Sequence, residues 1–287
     1  MNMIIDCHYL CWGASFALPD MSAEDQEVGV IYGFLRQILS LSKKFKTKDF
    51  YFCWDSKKSH RKLIFPDYKK KRAAKKKEMK PEDLSRILAT HEQIGKLRNE
   101  ILPTMGFNNS FFRNGYEADD LICHLVRKLK GPNTIISSDE DLYQLLDHAD
   151  MYSTQKGKVF KVKDLAKKYN GCTPKEWVDV KALGGCGSDE VPGIKGVGAI
   201  KAVKYLHGEM KPGVIKERIE SEEGRSIYKR NLELVKLPLH EGVFDVADNI
   251  QEDTITSHAM LTLFEKYRFA SFLRGDAFSS WVTNFTD

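Results

Sequence analysis

Three apolar, strand-like runs of this sequence each end at an acidic residue, and these acids are Asp6, Asp55 and Asp139. In an open α/β sheet the carboxyl ends of parallel strands meet at one edge, which is where such sheets bind ligands. Three carboxylates gathered at that edge would repel each other unless a cation neutralised them. The sequence therefore predicts a cation site built from strand ends.

Four further acids extend this set. Glu117, Asp119 and Asp120 stand together at the start of a predicted helix, and Asp141 lies two residues after Asp139. Oxygen ligands in this number suit Mg²⁺ or Mn²⁺, and the sequence has no HExxH motif or Cys/His cluster that would favour zinc. The sequence therefore predicts that the cation is Mg²⁺ or Mn²⁺.

Each of these acids also has a purely structural interpretation. An acid at a strand end could cap the element that follows it, and the acids of Glu117–Asp120 could simply favour the positive end of a helix dipole. A separate local explanation would then be needed for each cluster, whereas one metal site explains all of them. We therefore favour the metal site.

The charge of the chain is unevenly distributed. The 287 residues carry a formal charge of +5, yet the segment Ser56–Lys80 alone holds ten Lys and two Arg against one Asp and one Glu, so the remainder is net acidic. A run of lysines is often only a solvated surface. Here Phe65, Pro66 and Tyr68 interrupt the charge, which indicates a nucleic-acid partner.

Several classes of protein are disfavoured by the sequence. It has no apolar run long enough to cross a bilayer, and its first residues lack the layout of a signal peptide. The six cysteines form no paired CxxC pattern, which indicates reduced thiols. We expect a monomeric cytoplasmic protein, bacterial or from a phage-infected host, with no membrane partner.

The order of predicted elements indicates an α/β fold with a mainly parallel central sheet flanked by helices. Strands are predicted at Met3–Asp6, Phe50–Trp54 and Thr134–Ile136, with amphipathic helices between them. One helix is predicted to begin at Pro81 and to end at Pro103.

The character of the sequence changes after about residue 170. A capping box starts a helix at Thr173, and a second helix is predicted at Ala199–Leu206. Between them, Gly184–Gly198 holds six of the 20 glycines, which predicts a loop and a tight turn. We expect two regions, 1–170 and 171–287.

Four segments resemble motifs of the 5′-nuclease or flap-endonuclease family, which includes the nuclease domain of bacterial DNA polymerase I and phage 5′-exonucleases. They are Gly115–Asp120, Ile135–Asp141, Arg61–Lys69 followed by Arg72, and Val191–Gly198. Their order and approximate spacing match the family from Asp6 to about Pro238. No polymerase region follows, so we expect a stand-alone nuclease.

The resemblance implies a PIN-like nuclease core with a basic arch at about 56–90, then a helix–three-turn–helix DNA-binding region and C-terminal helices. It implies a structure-specific 5′-nuclease, acting as a flap endonuclease or 5′-3′ exonuclease on DNA with 5′ single-stranded flaps or 5′ ends. Two alternatives remain open, namely a non-catalytic protein that binds branched DNA and a ribonuclease on a related acidic core.

The resemblance also implies roles for individual residues. Lys69 would act in catalysis together with Asp6, Asp55, Asp119 and Asp139. A first Mg²⁺ or Mn²⁺ would be held, directly or through water, by Asp6, Asp55, Glu117, Asp119 and Asp120, and a second by Asp139, Asp141 and Asp189. The residues that would bind DNA are Tyr68, Lys69, Arg72, Lys181, Gly193, Lys195, Gly196, Gly198 and Lys201. A K⁺ ion at the glycine hairpin is a further implication.

Two positions depart from the family pattern. Cys7 stands where the family usually has glycine after the first aspartate. Cys186 stands where the loop before Asp189 usually has a carboxylate, so the second metal site lacks one expected ligand. Because Mg²⁺ prefers oxygen to sulfur, this substitution puts the completeness of the second site in question.

Overall fold

The computed structural model describes residues 1–24, 26–71, 78–241 and 249–286. At its centre lies a six-stranded sheet in the order β5-β4-β1-β6-β7-β8, in which β8 is antiparallel to β7 and the other pairs are parallel. The six strands are β1 (Asn2–Asp6), β4 (Phe50–Trp54), β5 (Ser110–Phe112), β6 (Asn133–Ile136), β7 (Asp150–Ser153) and β8 (Lys158–Phe160). Two short antiparallel pairs are β2 (Ser22–Ala23) with β3 (Gln26–Glu27), and β9 (Gly185–Cys186) with β10 (Val191–Pro192). The predicted α/β class and mainly parallel sheet are confirmed.

Helices cover both faces of this sheet. Those of the first half are α1 (Cys7–Ala17), α2 (Gly29–Phe45), α3 (Arg61–Ile64), α4 (Pro81–Lys96), α5 (Leu102–Met105) and α6 (Ala118–Lys128). Those of the second half are α7 (Val162–Lys168), α8 (Pro174–Gly184), α9 (Ala199–Leu206), α10 (Val214–Glu220), α11 (Glu222–Val235), α12 (Ser257–Lys266), α13 (Ala270–Leu273) and α14 (Asp276–Phe285). A π-helical turn occupies Leu97–Ile101, and 3₁₀ turns occupy Glu140–Leu145 and Gly187–Asp189.

The central strand β1 is apolar throughout because it is buried on both sides. Successive side chains of a strand point to opposite faces. Met3 and Ile5 accordingly join one core cluster with α1, α2 and the C-terminal helices, while Ile4 joins a second cluster with α6 and α8. Packing on both faces fixes the strand, and with it the position of Asp6 at the strand end.

Most predicted boundaries of the helices agree with the structure. The capping box at Thr173 is formed, and α9 spans the predicted residues. The predicted helix end at Pro103 is wrong, because the chain stays helical from Pro81 to Met105 through the π-helical turn. Pro103 lies in the first turn of α5, where its missing N–H is tolerated.

The hydrophobic clusters extend across the expected boundary at residue 170. Trp177 and Ile194 pack in the cluster that contains Ile4. Phe264 and Trp281 pack in the cluster on the other face of the sheet, which contains Ile5. The two regions thus share hydrophobic packing, and their division at residue 170 stays a prediction. Arg72 and part of the expected arch lie outside the described residues. In the described part of the chain, each helix is too short or too polar to span a bilayer.

Candidate active site

The carboxyl ends of β1, β4 and β6 bring the predicted acids together. Burial raises the pKa of Asp6 to about 7, and the nearby charge of Asp55 adds to this effect. Burial also raises the pKa of Asp119 well above its usual value, with contributions first from Asp139 and then from Asp6 and Asp55. These four carboxylates, from three strand ends and the start of α6, therefore lie close enough to oppose one another's ionisation.

Capping hydrogen bonds hold two of these acids in place. Asp6 Oδ1 accepts from the backbone N–H of Tyr9 at 3.0 Å, and Asp6 Oδ2 accepts from Ser137 Oγ at 2.9 Å. Asp55 Oδ1 accepts from the N–H of Ala118 at 2.7 Å, so it caps the first turn of α6. The structural interpretation of these acids is thus correct, and it explains how mutually repelling side chains are kept at the same edge.

A second group of candidate ligands lies beside the first. One ligand atom from each of Asp141, Cys186 and Asp189 falls within 4.8 Å of the others. Burial raises the pKa of Asp139 to about 6, and the charges of Asp141 and then Asp189 contribute. Lys181 Nζ lies 2.5 Å from Asp141 Oδ1. The structure therefore places Asp139 between the two groups and Lys181 against the second.

Lys69 and Tyr68 lie at the junction of these groups. Lys69 Nζ is 2.8 Å from Glu117 Oε2 and 3.4 Å from Asp189 Oδ1. The Tyr68 hydroxyl lies 3.0 Å from Glu117 Oε2 and 2.9 Å from Asp189 Oδ2. Burial lowers the pKa of Lys69, but Glu117 and Asp189 more than offset this, so its pKa lies above the usual value. A charged ammonium thus faces the acids.

The pKa of Glu117 is lowered, in contrast to the raised pKa values of Asp6, Asp119 and Asp139. Burial opposes its ionisation, but the ion pairs with Lys69 and Arg61 outweigh burial and lower the pKa of Glu117 to about 2. The acids therefore differ in electrostatic environment: Glu117 is neutralised by side chains of the protein, whereas Asp6, Asp119 and Asp139 face one another. Such mutually facing acids are the ones that a divalent cation would stabilise most.

Asp120 does not join the acid cluster. Its two oxygens accept from both terminal nitrogens of Arg61 at 2.8 and 2.9 Å, and Oδ1 also accepts from Leu239 N at 2.8 Å. Asp120 is fully buried, and Arg61 is 3% exposed. A carboxylate engaged in this way by a buried guanidinium has no oxygen left facing the site, so we revise its expected role from metal ligand to structural partner of Arg61.

Two important contacts could not be assigned from the sequence. Arg61 begins the motif segment Arg61–Lys69, but neither the motif nor its place in the basic segment indicates that its partner is Asp120. Glu190 accepts from the backbone N–H of Lys71 through both carboxylate oxygens, at 2.8 and 2.7 Å. Neither contact follows from local pattern, because each joins segments more than 50 residues apart.

The glycine hairpin connects α8 to α9. A side chain at Gly193 would lie 2.1 Å from the backbone of Gly184, so glycine is required there by close packing. Gly196 has a positive φ of 85°, while a Cβ at Gly198 would meet no atom within 4 Å. Lys195 is exposed at the tip of the hairpin. The hairpin therefore packs closely against Gly184 at Gly193, while the space beside Gly198 is unobstructed.

Comparison with known proteins identifies the family of this arrangement. Residues 1–170 match the family described as 5′-3′ exonuclease, N-terminal resolvase-like domain. The chain is 32% identical over 246 residues to the thermostable DNA polymerase I of Thermus thermophilus. This alignment covers 83% of the chain and 28% of the polymerase. It is 33% identical over 213 residues to the 5′-3′ exonuclease of Buchnera aphidicola, covering 71% of this chain and 68% of that protein.

Solved structures share the fold. A bacteriophage T5 5′-exonuclease with bound divalent metal ions (zinc) superimposes with a TM-score of 0.71 at 20% identity, over 94% of this chain and 97% of that one. A T5 flap endonuclease in a pseudo-enzyme–product complex with DNA and metal ions also has a TM-score of 0.71, at 21% identity and the same coverage. The likeness extends over nearly the whole chain, beyond the 170 residues that match the family sequence.

The contrasting surroundings of Asp119 and Asp120 give opposite effects on stability. Asp119→Asn should raise the free energy of unfolding of the metal-free protein, because it removes one of several repelling charges. Asp120→Asn should lower it by about 3–5 kcal/mol, the usual consequence of removing one partner from a buried ion pair. Urea denaturation in the presence of a chelator measures both. Equal destabilisation by the two variants would contradict the distinction between them.

Proposed function

Because this chain belongs to the 5′-3′ exonuclease family, we propose that it is a structure-specific, metal-dependent 5′-nuclease that hydrolyses DNA phosphodiesters. We propose DNA with 5′ single-stranded flaps or 5′ ends as the substrate. The observation that carries the proposal is the group of carboxylates at the ends of β1, β4 and β6, with the Lys69 ammonium at its rim. The chain spans 28% of the length of the first polymerase relatives it matches, so the proposal concerns a nuclease unit.

The donor set fits two divalent cations. Asp6, Asp55, Glu117 and Asp119 would hold one ion, and Asp139, Asp141 and Asp189 would hold the other. Carboxylate oxygens suit Mg²⁺ or Mn²⁺, and the elevated pKa values of Asp6 and Asp139 reflect charge that a cation would neutralise. When bound, such ions supply Lewis acidity for water activation and for the charge of the phosphodiester.

The residues of the chain would then position the DNA. Lys69 would carry its positive charge to the scissile phosphate, where negative charge grows in the transition state. It would exchange its contacts with Glu117 and Asp189 for the phosphate. Tyr68, which bonds the same two acids, would keep this part of the basic segment beside the carboxylates. Lys181 would hold Asp141 in orientation.

Duplex DNA would bind at the glycine hairpin. Gly198 lies at the N-terminus of α9 without a capping side chain, and a helix N-terminus attracts phosphate. Lys195 is exposed on the same hairpin, and Gly198 leaves room for a phosphate to approach the backbone. Lys201 donates to the carbonyl of Gly196 at 2.9 Å, so it would first stabilise the hairpin and only secondarily contact DNA.

A K⁺ ion at the hairpin stays a prediction, and the hydrogen bonds of the turn limit which carbonyl oxygens could bind it. The carbonyl oxygens of Lys195 and Gly196 already accept from Arg218 and Lys201 at 2.7 and 2.9 Å. A monovalent cation would therefore use other carbonyl groups of the turn. The expected monomeric state likewise stays a prediction.

One observation favours a second candidate function. Cys186 takes the place of an expected carboxylate, which would suit a branched-DNA-binding protein with a weakened metal site. A cleavage assay on 5′-flap DNA, with single-stranded RNA and a chelator control, tests these functions. Metal-dependent cleavage of the flap supports the nuclease, whereas tight flap binding without cleavage in Mg²⁺, Mn²⁺ or Zn²⁺ would support the binding protein. Preferential RNA cleavage would support a ribonuclease.

Loss of a proposed metal ligand should separate cleavage from binding. Asp119→Asn and Asp139→Asn should each lower single-turnover cleavage by more than about a hundredfold, since changes outside the ligand sphere already cost 10–100-fold. DNA affinity, measured by gel shift in a chelator, should stay within about threefold of the unmodified protein. Substantial cleavage by both variants would remove the basis for the metal assignment.

Lys69 should act on turnover, whereas a lysine outside the site should act on affinity. Lys69→Ala should reduce the single-turnover rate by about 10²–10³-fold, as expected when a charge that stabilises the transition state is removed. The matched control is Lys62→Ala on α3, an exposed lysine of the same segment. It should leave the rate unchanged and reduce the salt slope of binding by about one. Equal effects of the two variants would indicate that the segment acts only as a charged surface.

Gly198 offers a test of the hairpin that leaves the fold intact. A Cβ at this position meets no atom within 4 Å, so Gly198→Ala should not destabilise the protein. It should weaken duplex binding by about tenfold if a phosphate needs this space, equivalent to losing one charge-assisted hydrogen bond of about 1.5 kcal/mol. Gly95→Ala on α4, where a Cβ is equally unobstructed, is the control. Unchanged DNA affinity in both variants would place duplex binding elsewhere.

A further inference from the structure

The side chain that departs from the family pattern lies inside the proposed second metal site. Cys186 ends β9, Asp141 lies on the 3₁₀ turn Glu140–Leu145, and Asp189 ends the turn after β9. Their ligand atoms fall within 4.8 Å of one another. Among the described residues this is the group in which a thiol joins two carboxylates. The inference below rests on the proposed function, since it concerns the cation of that same site.

The orientation of Asp141 suits a shared ion. Its Oδ1 is buried and lies 2.5 Å from Lys181 Nζ, as an ion pair and not a well-directed hydrogen bond. Its Oδ2 lies 3.5 Å from Cys186 Sγ. One oxygen is thus held by a lysine while the other faces the thiol, an arrangement in which an outer partner orients a ligand.

Asp189 is held in a similar way. The Tyr68 hydroxyl lies 2.9 Å from its Oδ2, and Lys69 Nζ lies 3.4 Å from its Oδ1. Lys69 is the group that the proposed function moves to the phosphate. Its departure would open Oδ1 to a cation while Tyr68 still fixes Oδ2, so the carboxylate would turn little between the two states.

The Cys186 thiol lies close to other potential ligand atoms. Cys186 is 4% exposed, and its Sγ lies 3.0 Å from Ser188 Oγ as well as near Asp141. The pocket beside it is lined by acids, among them Asp141 and Asp189, and by apolar side chains that include Val191 and Leu234. Cys186 packs against these apolar side chains, and its Sγ also lies near the Asp141 and Asp189 carboxylates.

We propose that this second site takes a thiophilic divalent cation of the zinc class, with Cys186 as a thiolate ligand, in preference to Mg²⁺. Thiolate ligands select borderline and soft cations, whereas Mg²⁺ requires oxygen. Asp141, Asp189 and Cys186 would supply two carboxylates and one thiolate. The fourth position of a tetrahedral zinc ion would be left for Asp139, which the proposed function also assigns to this ion, or for an oxygen of the substrate. Binding forms one sulfur–metal bond and releases the thiol proton to solvent.

The probe for this proposal is Cd²⁺, which gives an ultraviolet charge-transfer absorption when it binds a thiolate. The metal-free full-length protein is titrated with Cd²⁺ in the absence of DNA. The unmodified protein should develop this band and saturate at one thiolate-bound ion per chain. Cys186→Ser, which keeps the size of the side chain but not the soft donor, should lose the band. Cys172→Ser, a change at a buried cysteine that precedes the N-terminus of α8, should retain it.

A second variant separates coordination from misfolding. Cys186→Asp supplies the oxygen ligand that Mg²⁺ prefers, so it should lower the Mg²⁺ concentration for half-saturation by about tenfold and abolish the Cd²⁺ band. Circular dichroism of each variant verifies the fold. A band that persists in Cys186→Ser would overturn the proposal, as would the absence of a band in the unmodified protein.

The result does not depend on whether the protein cleaves DNA. If flap cleavage is absent with every cation while the Cys186-dependent band is present, the proposed nuclease function fails and the metal site stands. If cleavage in Mg²⁺ is robust and the band is absent, the nuclease function stands and the thiolate site fails. Competition with excess Zn²⁺ then tests whether the same site takes zinc, since bound Zn²⁺ would reduce the Cd²⁺ band.

Discussion

The repulsion among carboxylates at one edge of the sheet is the constraint on which the other features of the site depend. Burial and the charges of neighbouring acids raise the pKa values of Asp6, Asp119 and Asp139. A fold that places these acids together must fix each of them by other contacts, because their charges alone would drive them apart. The capping bonds to Asp6 and Asp55 supply part of this, and the packing of β1 on both faces supplies the rest.

Internal cations offset part of the same repulsion. Arg61 pairs with Asp120, Lys69 with Glu117 and Asp189, and Lys181 with Asp141. Arg61 and Lys69 belong to the basic segment and Lys181 to α8, so these pairs also join segments that are distant in the sequence. The Arg61–Asp120 pair fixes the start of the basic segment against α6, and this brings Tyr68 and Lys69 to the acids.

The sequence predicted what is encoded locally. β1, β4 and β6 were predictable because they are buried on both faces and therefore apolar without interruption. β5, β7 and β8 were not predicted, since these strands are only three or four residues long and contain polar residues such as Ser110 and Lys158. The role of Asp120 could not be distinguished from that of Asp119, because the two are adjacent, and the difference depends on Arg61, which is 59 residues away.

The turn Gly187–Asp189, which carries the candidate ligand Asp189, also holds the basic segment in place. Lys69 N donates to the carbonyl of Asp189 at 3.0 Å, and Lys71 N donates to the carboxylate of Glu190. Tyr68 and the Lys69 ammonium add contacts to the Asp189 carboxylate. A cation bound to Asp189 Oδ1 would take the place of the Lys69 ammonium there, while Tyr68 still holds Oδ2 and the backbone bond to Lys69 persists. The geometry thus links occupation of the second site to release of Lys69, without requiring the segment to leave its place.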